Sequence, residues 1–259
     1  MTLTVVRAVG LVTVQDLGRP GRMHEAVPPG GALARDRLIA ANRAVRNPDD
    51  APALEILGQL VVRADRAAEV AGDGRPAHAL AAGDQLTIAS EPRRVAYLAV
   101  RGGIAAPWLF GGRGALVSAG LGGVIRAGQR LETAQLARVR PAPLPERAPG
   151  PIRLLPGPDP DHFAPGALDL LLAGEYRISP TSDRIGTRLD GPPLPRTALP
   201  EVSRPMVIGA IEVPHDGRPI VLGPEHPTTG GYPIIAVVAR PDLGPLFAIR
   251  LGGTVRFTR

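Results

Sequence analysis

The stretch "PTTGGYPIIAVV", residues 227 to 238, places a polar segment with two glycines directly before an unbroken apolar run. A short apolar run that follows glycine and proline is typical of a buried β-strand. The glycines let a ligand approach the main chain, and their successive N–H groups would form a concave anion-binding nest. The stretch therefore predicts a strand over 234–239 and a binding loop in front of it, with a tight turn between strands as the alternative.

Further short apolar runs recur between turn residues, since 32 Gly and 30 Pro are spread over the 259 residues of the chain. Many short strands at close spacing are typical of β-barrels and β-sandwiches. We therefore expect a mainly β fold with two subdomains and few short helices. The predicted strands are 2–6, 11–14, 53–57, 60–64, 85–88, 95–100, 152–155, 206–213, 219–222, 234–239 and 254–258. The predicted helices are 32–46, which stops before Asn47-Pro48, and 166–173.

Glycine-led turns and a proline-rich segment organise the chain. A glycine that supplies a positive φ precedes a strand in "AAGDQLTI" (81–88), "RAGQRL" (126–131) and "RLGGTVRF" (250–257). Five prolines in "RPAPLPERAPGP", residues 140 to 151, favour an extended connector. We expect an N-terminal β subdomain at 1–140, a proline-rich connector at 141–151 and a C-terminal β-barrel subdomain at 152–259.

The composition excludes several classes of site. The chain has no cysteine, which rules out disulfides, thiolate nucleophiles and cysteine-bound metal centres. All 30 basic residues are arginine, and a Walker-type phosphate loop needs a lysine. The formal charge is +6, but one Trp, three Tyr and four Phe offer few stacking partners and no basic block occurs. We therefore expect no nucleic-acid partner.

The chain also lacks targeting and metal-binding patterns. The N-terminus shows no basic segment followed by an apolar one, and no stretch approaches the roughly 18 apolar residues of a membrane helix. The five histidines have no metal-ligand spacing. The expectation is a cytoplasmic protein that contacts no membrane and holds no metal.

Two polar clusters precede the opening stretch in the chain. In "TVQDLGRPG" (13–21), Gln15, Asp16 and Arg19 lead into a Pro-Gly turn, and a strand ending in a capped loop is the alternative to a binding site. In "SPTSDRIGTRLDGPPL" (179–194), Arg184 and Arg188 offer fork-like donors to a carboxylate or phosphate. Asp183 is expected to orient one of them or to contact a metal. A surface network of ion pairs is the alternative interpretation of this second cluster.

The opening stretch supplies the third cluster. Thr228 and Thr229 offer hydroxyls, Gly230 and Gly231 offer main-chain N–H groups, and Tyr232 adds an amphipathic ring. We expect all five residues to contact substrate or nucleotide, with Thr229 and the two glycines as a main-chain cradle. The guanidinium groups of the second cluster are expected to converge on the same ligand.

These clusters, in this order, resemble the family of 5-oxoprolinase C-type subunits, also described as biotin-dependent carboxyltransferase-like or allophanate hydrolase subunit 2-related proteins. The resemblance runs from about residue 10 to the C-terminus, and six ordered motifs together are far more specific than any one of them. The matching stretches are "GLVTVQDLGRPG", "VPPGGALARDRLIAANRAVRN" with "ALEI", "AVRGGI", "SDRIGTRLDGPPL", "GAIEVPHDGRPIVL" and "TTGGYP".

The resemblance implies a cyclophilin-like β-barrel architecture and a hetero-complex with homologues of the family's B-type and A-type subunits. Such a complex opens the cyclic amide 5-oxo-L-proline to L-glutamate with ATP hydrolysis. ATP is then the expected co-substrate, Mg as its companion is left open, and no tightly bound cofactor is expected. Arginine forks and main-chain donors suit the stabilisation of developing negative charge.

Departures from the family pattern leave the substrate open. The segment Gly111-Gly112-Arg113-Gly114-Ala115 keeps the arginine of the family's Gly-Ser-Arg-Ser-Thr but loses its hydroxyls. Arg113 therefore joins Asp183, Arg184 and Arg188 as a predicted catalytic residue. Two other roles stay open: the carboxyltransferase component of a biotin-dependent urea amidolyase-like complex, and a non-catalytic regulator that binds the B-type subunit.

One apolar spot has two interpretations. Residues 107–110, "PWLF", fit either the core or a partner surface, and the sequence favours the core.

Overall fold

The chain is described by a computed structural model that covers residues 2–72, 75–140, 150–197 and 200–259. The fold is mainly β with few short helices, as predicted. Among the described residues, no helix is both long and apolar enough to cross a lipid bilayer.

The strands and helices are numbered in chain order. The strands are β1 Thr2–Gln15, β2 Ala53–Ala64, β3 Ala68–Gly72, β4 His78–Leu80, β5 Gln85–Ala89, β6 Ala96–Val100, β7 Arg130–Glu132, β8 Ile152–Pro156, β9 Tyr176–Ile178, β10 Gly186–Asp190, β11 Arg204–Pro205, β12 Ala210–Glu212, β13 Ile220–Leu222, β14 Thr229–Gly230, β15 Ile234–Val238, β16 Thr254–Val255 and β17 Phe257–Thr258. The α-helices are α1 Arg35–Ala44, α2 Ala167–Ala173 and α3 Leu243–Ala248. Single 3₁₀ turns lie at Met23–Glu25, Val117–Ala119, Pro160–His162 and Arg240–Asp242.

The chain forms two compact units. The first comprises Met1–Pro20 and Gly30–Glu146, and the second comprises Gly21–Pro29 and Arg147–Arg259. The connector predicted at 141–151 falls largely on residues 141–149, which lie outside the described residues.

The first unit is built on a long antiparallel hairpin. Its seven-stranded sheet has the order β4-β3-β6-β2-β1-β7, with β5 also paired to β2. The sequence predicts four strands where β1 and β2 run continuously, because a glycine interrupts the apolar residues in each of them. Gly10 instead faces Gly58 across the hairpin, with φ of +81° and +133°. A Cβ at Gly10 would lie 2.2 Å from Leu57 O, so the two glycines permit a close backbone approach without ending the pairing.

The second unit contains an eight-stranded sheet of near-barrel form in the order β16-β9-β10-β13-β12-β15-β8-β17 and a two-stranded sheet of β11 and β14. In this unit Met206, Ala210, Leu222 and Ile234 form a buried apolar cluster. The predicted strand 206–213 is wrong at both ends, because only Ala210–Glu212 pairs with neighbours. The strands β9 and β10 were missed, since arginines interrupt their apolar residues.

Local turn chemistry was predicted well, and helix bounds less so. The three glycines expected to precede strands, Gly83, Gly128 and Gly252, have φ of +92°, +85° and +73°. Helix α1 starts three residues later than predicted. The segment before it is held by the buried Glu55 carboxylate, which accepts a hydrogen bond from Leu33 N at 2.7 Å.

Candidate functional site

Register in the second unit places a cation and a carboxylate in one cross-strand row. Arg188 on β10 pairs with Ile220 on β13, which pairs in turn with Glu212 on β12. Residues directly opposite in neighbouring strands share a face of the sheet. The three side chains therefore project from the same face.

The preceding row projects to the other face and is buried. Thr187, Val221 and Ile211 occupy matching positions on the same three strands, and each is fully buried. Since successive side chains alternate between faces, burying this row turns the arginine and the glutamate outward. The core therefore fixes which polar groups are presented.

A large cavity lies over one end of this outward row. Its volume is about 730 Å³, and Arg188, Ile220 and Tyr232 are among its lining residues. A second cation, Arg218, and two carboxylates, Asp190 and Asp216, also line it. The structure thus brings Arg188 and Tyr232 together, two of the residues predicted from the sequence.

A smaller cavity of about 200 Å³ lies at the 229–231 stretch. Tyr232 and Glu212 line it with Glu201 and Met206, so Tyr232 is common to both cavities. Thr229 is exposed at its edge, whereas Thr228 is half-buried and its carbonyl accepts a hydrogen bond from Met206 N at 3.1 Å. The stretch therefore faces two carboxylates.

The anion-binding nest predicted at residues 230 and 231 is wrong. Thr229 and Gly230 form a short strand paired with Arg204 and Pro205, and neither glycine has a positive φ. A nest needs an αR–αL or turn conformation, but Gly230 is part of a strand and neither glycine is in the left-handed region. A Cβ at Gly230 would lie 2.6 Å from Met206 Cε, so a larger residue there would require the end of the Met206 side chain to shift.

Electrostatics single out Glu212 among the carboxylates. Burial raises the pKa of the Glu212 carboxyl above its ordinary value, and the positive charge of Arg188 partly opposes this rise. No hydrogen bond or ion pair from the described residues reaches its carboxylate. Glu201, by contrast, binds Arg196 at 2.6 Å. Glu212 is therefore a half-buried acceptor facing open space.

The second predicted arginine of the motif, Arg184, lies elsewhere. Its Nε donates to Glu225 Oε1 at 2.6 Å, and the two side chains are only 5% and 8% exposed. Asp183 accepts hydrogen bonds through Oδ1 from the main-chain N–H groups of Ile185 and Gly186, at 2.8 and 2.9 Å. Neither Arg184 nor Asp183 lines the two cavities. Their catalytic roles stay predictions.

The residues predicted in the first unit join one hydrogen-bond network around the 109–115 loop. Gln15 Nε2 donates to Ala115 O at 3.0 Å, and Asp16 Oδ2 accepts from Arg113 N at 2.6 Å. Arg19 donates to the carbonyls of Leu109 and Gly114. The Gln15, Asp16 and Arg19 side chains are buried, so in the described structure they hold the 109–115 loop in place.

The same loop presents an apolar surface, which overturns the core interpretation of residues 107–110. Trp108 is 64% exposed and Phe110 is 53% exposed. The guanidinium of Arg113 lies 5.5 Å from the centre of the Trp108 ring, within range of a cation–π contact. The sequence missed this exposure because local hydrophobicity does not reveal which way a loop faces.

Sequence reasoning also missed Glu201, Glu212 and Arg218. Glu212 lies inside "GAIEVPHDGRPIVL", where it is one polar residue in an apolar strand. The strand alternation around Ile211 was the available signal, because a residue next to a buried one points away from the core. Arg218 and Glu201 carry no comparable signal.

Comparison with known proteins identifies the family. Residues 25–259 match the family described as "Carboxyltransferase domain, subdomain A and B", and the chain belongs to it. Among curated relatives, the chain is 34% identical to the C-type subunit of 5-oxoprolinase from Escherichia coli, with 99% of this chain and 91% of that protein covered. It is 28% identical to the urea amidolyase of Lachancea kluyveri, with 70% and 12% covered.

Solved structures share the fold over the whole chain. The structure of TTHA0988 superposes with a TM-score of 0.88 at 30% identity, covering 100% of this chain and 55% of that one. The urea carboxylase of Kluyveromyces lactis superposes with a TM-score of 0.88 at 24% identity, covering 99% and 27%. The chain therefore spans about half or about a quarter of these solved proteins, and the second likeness shows the fold alone.

Proposed function

We propose that this chain is the C-type subunit of an ATP-dependent 5-oxoprolinase complex that converts 5-oxo-L-proline to L-glutamate. The observation that carries the proposal is the 34% identity to a protein named as that component of 5-oxoprolinase, extending over nearly all of both chains. The cavity lined by Arg188 and Tyr232 supports it, because a guanidinium can bind the carboxylate or the ring carbonyl of such a substrate.

ATP enters the proposal as a co-substrate of the complex. The chain offers no lysine for a phosphate loop, and the predicted main-chain nest is absent at residues 229–231. Arg188 and Arg218 are the guanidinium donors that line the larger cavity. They suit a carboxylate or a phosphoryl oxygen, so the proposal assigns this chain substrate binding and leaves the nucleotide site to the assembled complex.

The proposed partner is a homologue of the family's B-type subunit. The curated 5-oxoprolinase relatives are named as subunits, and the solved TTHA0988 chain is nearly twice as long as this one. The exposed Trp108 and Phe110 offer a surface of the aromatic kind that interfaces favour. Replacing Trp108 with serine should abolish co-purification with the product of the adjacent open reading frame, while unchanged co-purification would reject this surface.

The experiment measures ATP hydrolysis stimulated by 5-oxoproline in the complex reconstituted from all its components. Arg188→Ala should lower kcat/KM for 5-oxoproline roughly ten- to 150-fold, the cost of a lost hydrogen bond to a charged group. Arg250→Ala is the control, because Arg250 is an exposed arginine of the same unit outside both cavities. Wild-type complex without stimulation by 5-oxoproline would refute the proposal.

A second function is favoured by the family description itself. The family is described as a carboxyltransferase domain, and the urea amidolyase of Lachancea kluyveri is a relative. In this case the complex would show biotin-dependent exchange of carboxylate with an amide substrate. Because urea and 5-oxoproline both present a carbonyl beside an N–H group, the same cavity serves either function.

A further inference from the structure

The row Arg188–Ile220–Glu212 presents a hydrogen-bond donor and a hydrogen-bond acceptor on one face of the sheet. A guanidinium lies at one end, an aliphatic side chain in the middle and a carboxylate at the other end. The two outer residues are two strands apart, which separates their Cα atoms by roughly 10 Å. A ligand spanning the row would find a hydrogen-bond donor, an apolar contact and a hydrogen-bond acceptor in that order.

Among the described residues, neither the guanidinium of Arg188 nor the carboxylate of Glu212 forms a hydrogen bond or an ion pair, although the charge of Arg188 acts on the Glu212 carboxyl. The carboxylate is half-buried, so a ligand that covers it must supply a hydrogen bond in place of water. Arg184 and Arg196, by comparison, each bind a carboxylate.

The two cavities make the row accessible along its length. Arg188 and Ile220 line the larger cavity, Glu212 lines the smaller one, and Tyr232 lines both. The Tyr232 ring is 38% exposed and is held edge-on by His215 at 6.2 Å between ring centres. Tyr232 is therefore placed to contact a ring that spans the row.

The partner of the nearby Glu201 explains why Glu212 is the acceptor. Glu201 already accepts a hydrogen bond from Arg196 at 2.6 Å, and His215 Nε2 lies 3.4 Å from the same oxygen. Glu201 thus serves as a fixed wall of the smaller cavity. Glu212 keeps both carboxylate oxygens available.

We infer that Glu212 determines specificity by accepting a hydrogen bond from the amide N–H of a small cyclic amide whose neighbouring carboxylate is bound by Arg188. This inference rests on the proposed function, and the amide N–H is the group that Glu212 recognises. The ligand class is a small ring whose N–H lies between a carbonyl carbon and a carbon that carries a carboxylate. Esters of the same shape lack the N–H and turn a lone pair toward the carboxylate.

The test compares 5-oxoproline with its lactone analogue, in which a ring oxygen replaces the N–H group. Calorimetric titration of the reconstituted complex measures Kd for both compounds. Wild-type complex should bind the lactam roughly 5- to 150-fold more tightly than the lactone, the range expected for one unpaired buried group. Glu212→Met should reduce this ratio to near one, and Glu212→Gln, which restores an acceptor oxygen, should recover part of it.

Glu201→Gln is the matched control from the same cavity and should keep the wild-type ratio. If Glu212→Met keeps the ratio, or if wild type binds both compounds equally, the assignment of Glu212 is overturned while the proposed function stands. If wild type binds neither compound and shows no stimulated ATP hydrolysis, the proposed function falls and the inference with it. A melting curve for each variant shows whether a lost ratio reflects loss of the fold.

Discussion

Replacing Glu225 with alanine should destabilise the second unit by about 3–5 kcal/mol. The change leaves the guanidinium of Arg184 at 5% exposure without the carboxylate that binds it at 2.6 Å. Two unit charges about 4 Å apart interact by about 4 kcal/mol at an effective dielectric constant near 20, and by about 1 kcal/mol in water. Removing one partner of a buried pair costs about 3–5 kcal/mol, because the other charge stays buried.

The chain supplies a control with the same geometry and different burial. Arg256 binds Glu175 at 2.6 Å, but these side chains are 69% and 47% exposed. Exposed pairs contribute about 0–1 kcal/mol, so Glu175→Ala should change stability by no more than that. The double variant Arg184→Met with Glu225→Leu should be more stable than Glu225→Ala, since it leaves no buried charge.

The assay is urea unfolding at pH 7 with linear extrapolation to water. Trp108 is the single tryptophan of the chain and lies in the first unit, so its fluorescence does not report on the pair. Hydrogen exchange at amides of β10 and β13 follows the second unit directly. Equal losses for Glu225→Ala and Glu175→Ala would refute the reasoning, because burial would then make no difference.

Two further changes probe the buried groups. Gly114→Ala should cost about 1–3 kcal/mol by overpacking, because its Cβ would lie 2.6 Å from Gln15 Oε1. Gly123→Ala should leave stability unchanged, because no atom lies within 4 Å of the added Cβ. Urea midpoints, followed by Trp108 fluorescence, that are equal for Gly114→Ala and Gly123→Ala would contradict the overpacking argument. Burial lowers the pKa of His226, so at mildly acidic pH the imidazole is protonated more readily in the unfolded chain than in the folded chain. Stability should therefore fall as pH drops through about 6.5, and His226→Leu should flatten that fall; parallel pH curves for both proteins would count against it.

Arg184 and Arg188 show how far a motif can be read from sequence. Both lie in "SDRIGTRL", and both carry the same guanidinium group. In the structure Arg188 faces a cavity and Arg184 is buried against Glu225, 41 residues away. Arg184→Ala therefore tests stability as much as catalysis, whereas Arg188→Ala is the cleaner probe of ligand binding.

Only the folded structure explains why glycine stands at positions 112 and 114 in place of the family's serines. Compared with the family pattern, the chain lacks hydroxyls at Gly112 and Gly114. A Cβ at Gly112 would lie 2.9 Å from Arg19 Cγ, and one at Gly114 would meet Gln15. The backbone of this loop packs directly on side chains from the end of β1, which leaves no room for serine without a shift.

By itself, the sequence determined the mainly β class, the family and the turns at Gly83, Gly128 and Gly252, because strand patterning, motif order and positive φ are properties of neighbouring residues. Tertiary structure alone decided that Arg188, Ile220 and Glu212 form one row and that Trp108 faces outward. Cross-strand register joins residues that are far apart in the chain, and a one-residue slip would turn every side chain of a strand to the other face. That dependence is why the polar clusters were visible in the sequence, while the partner of each charge was not.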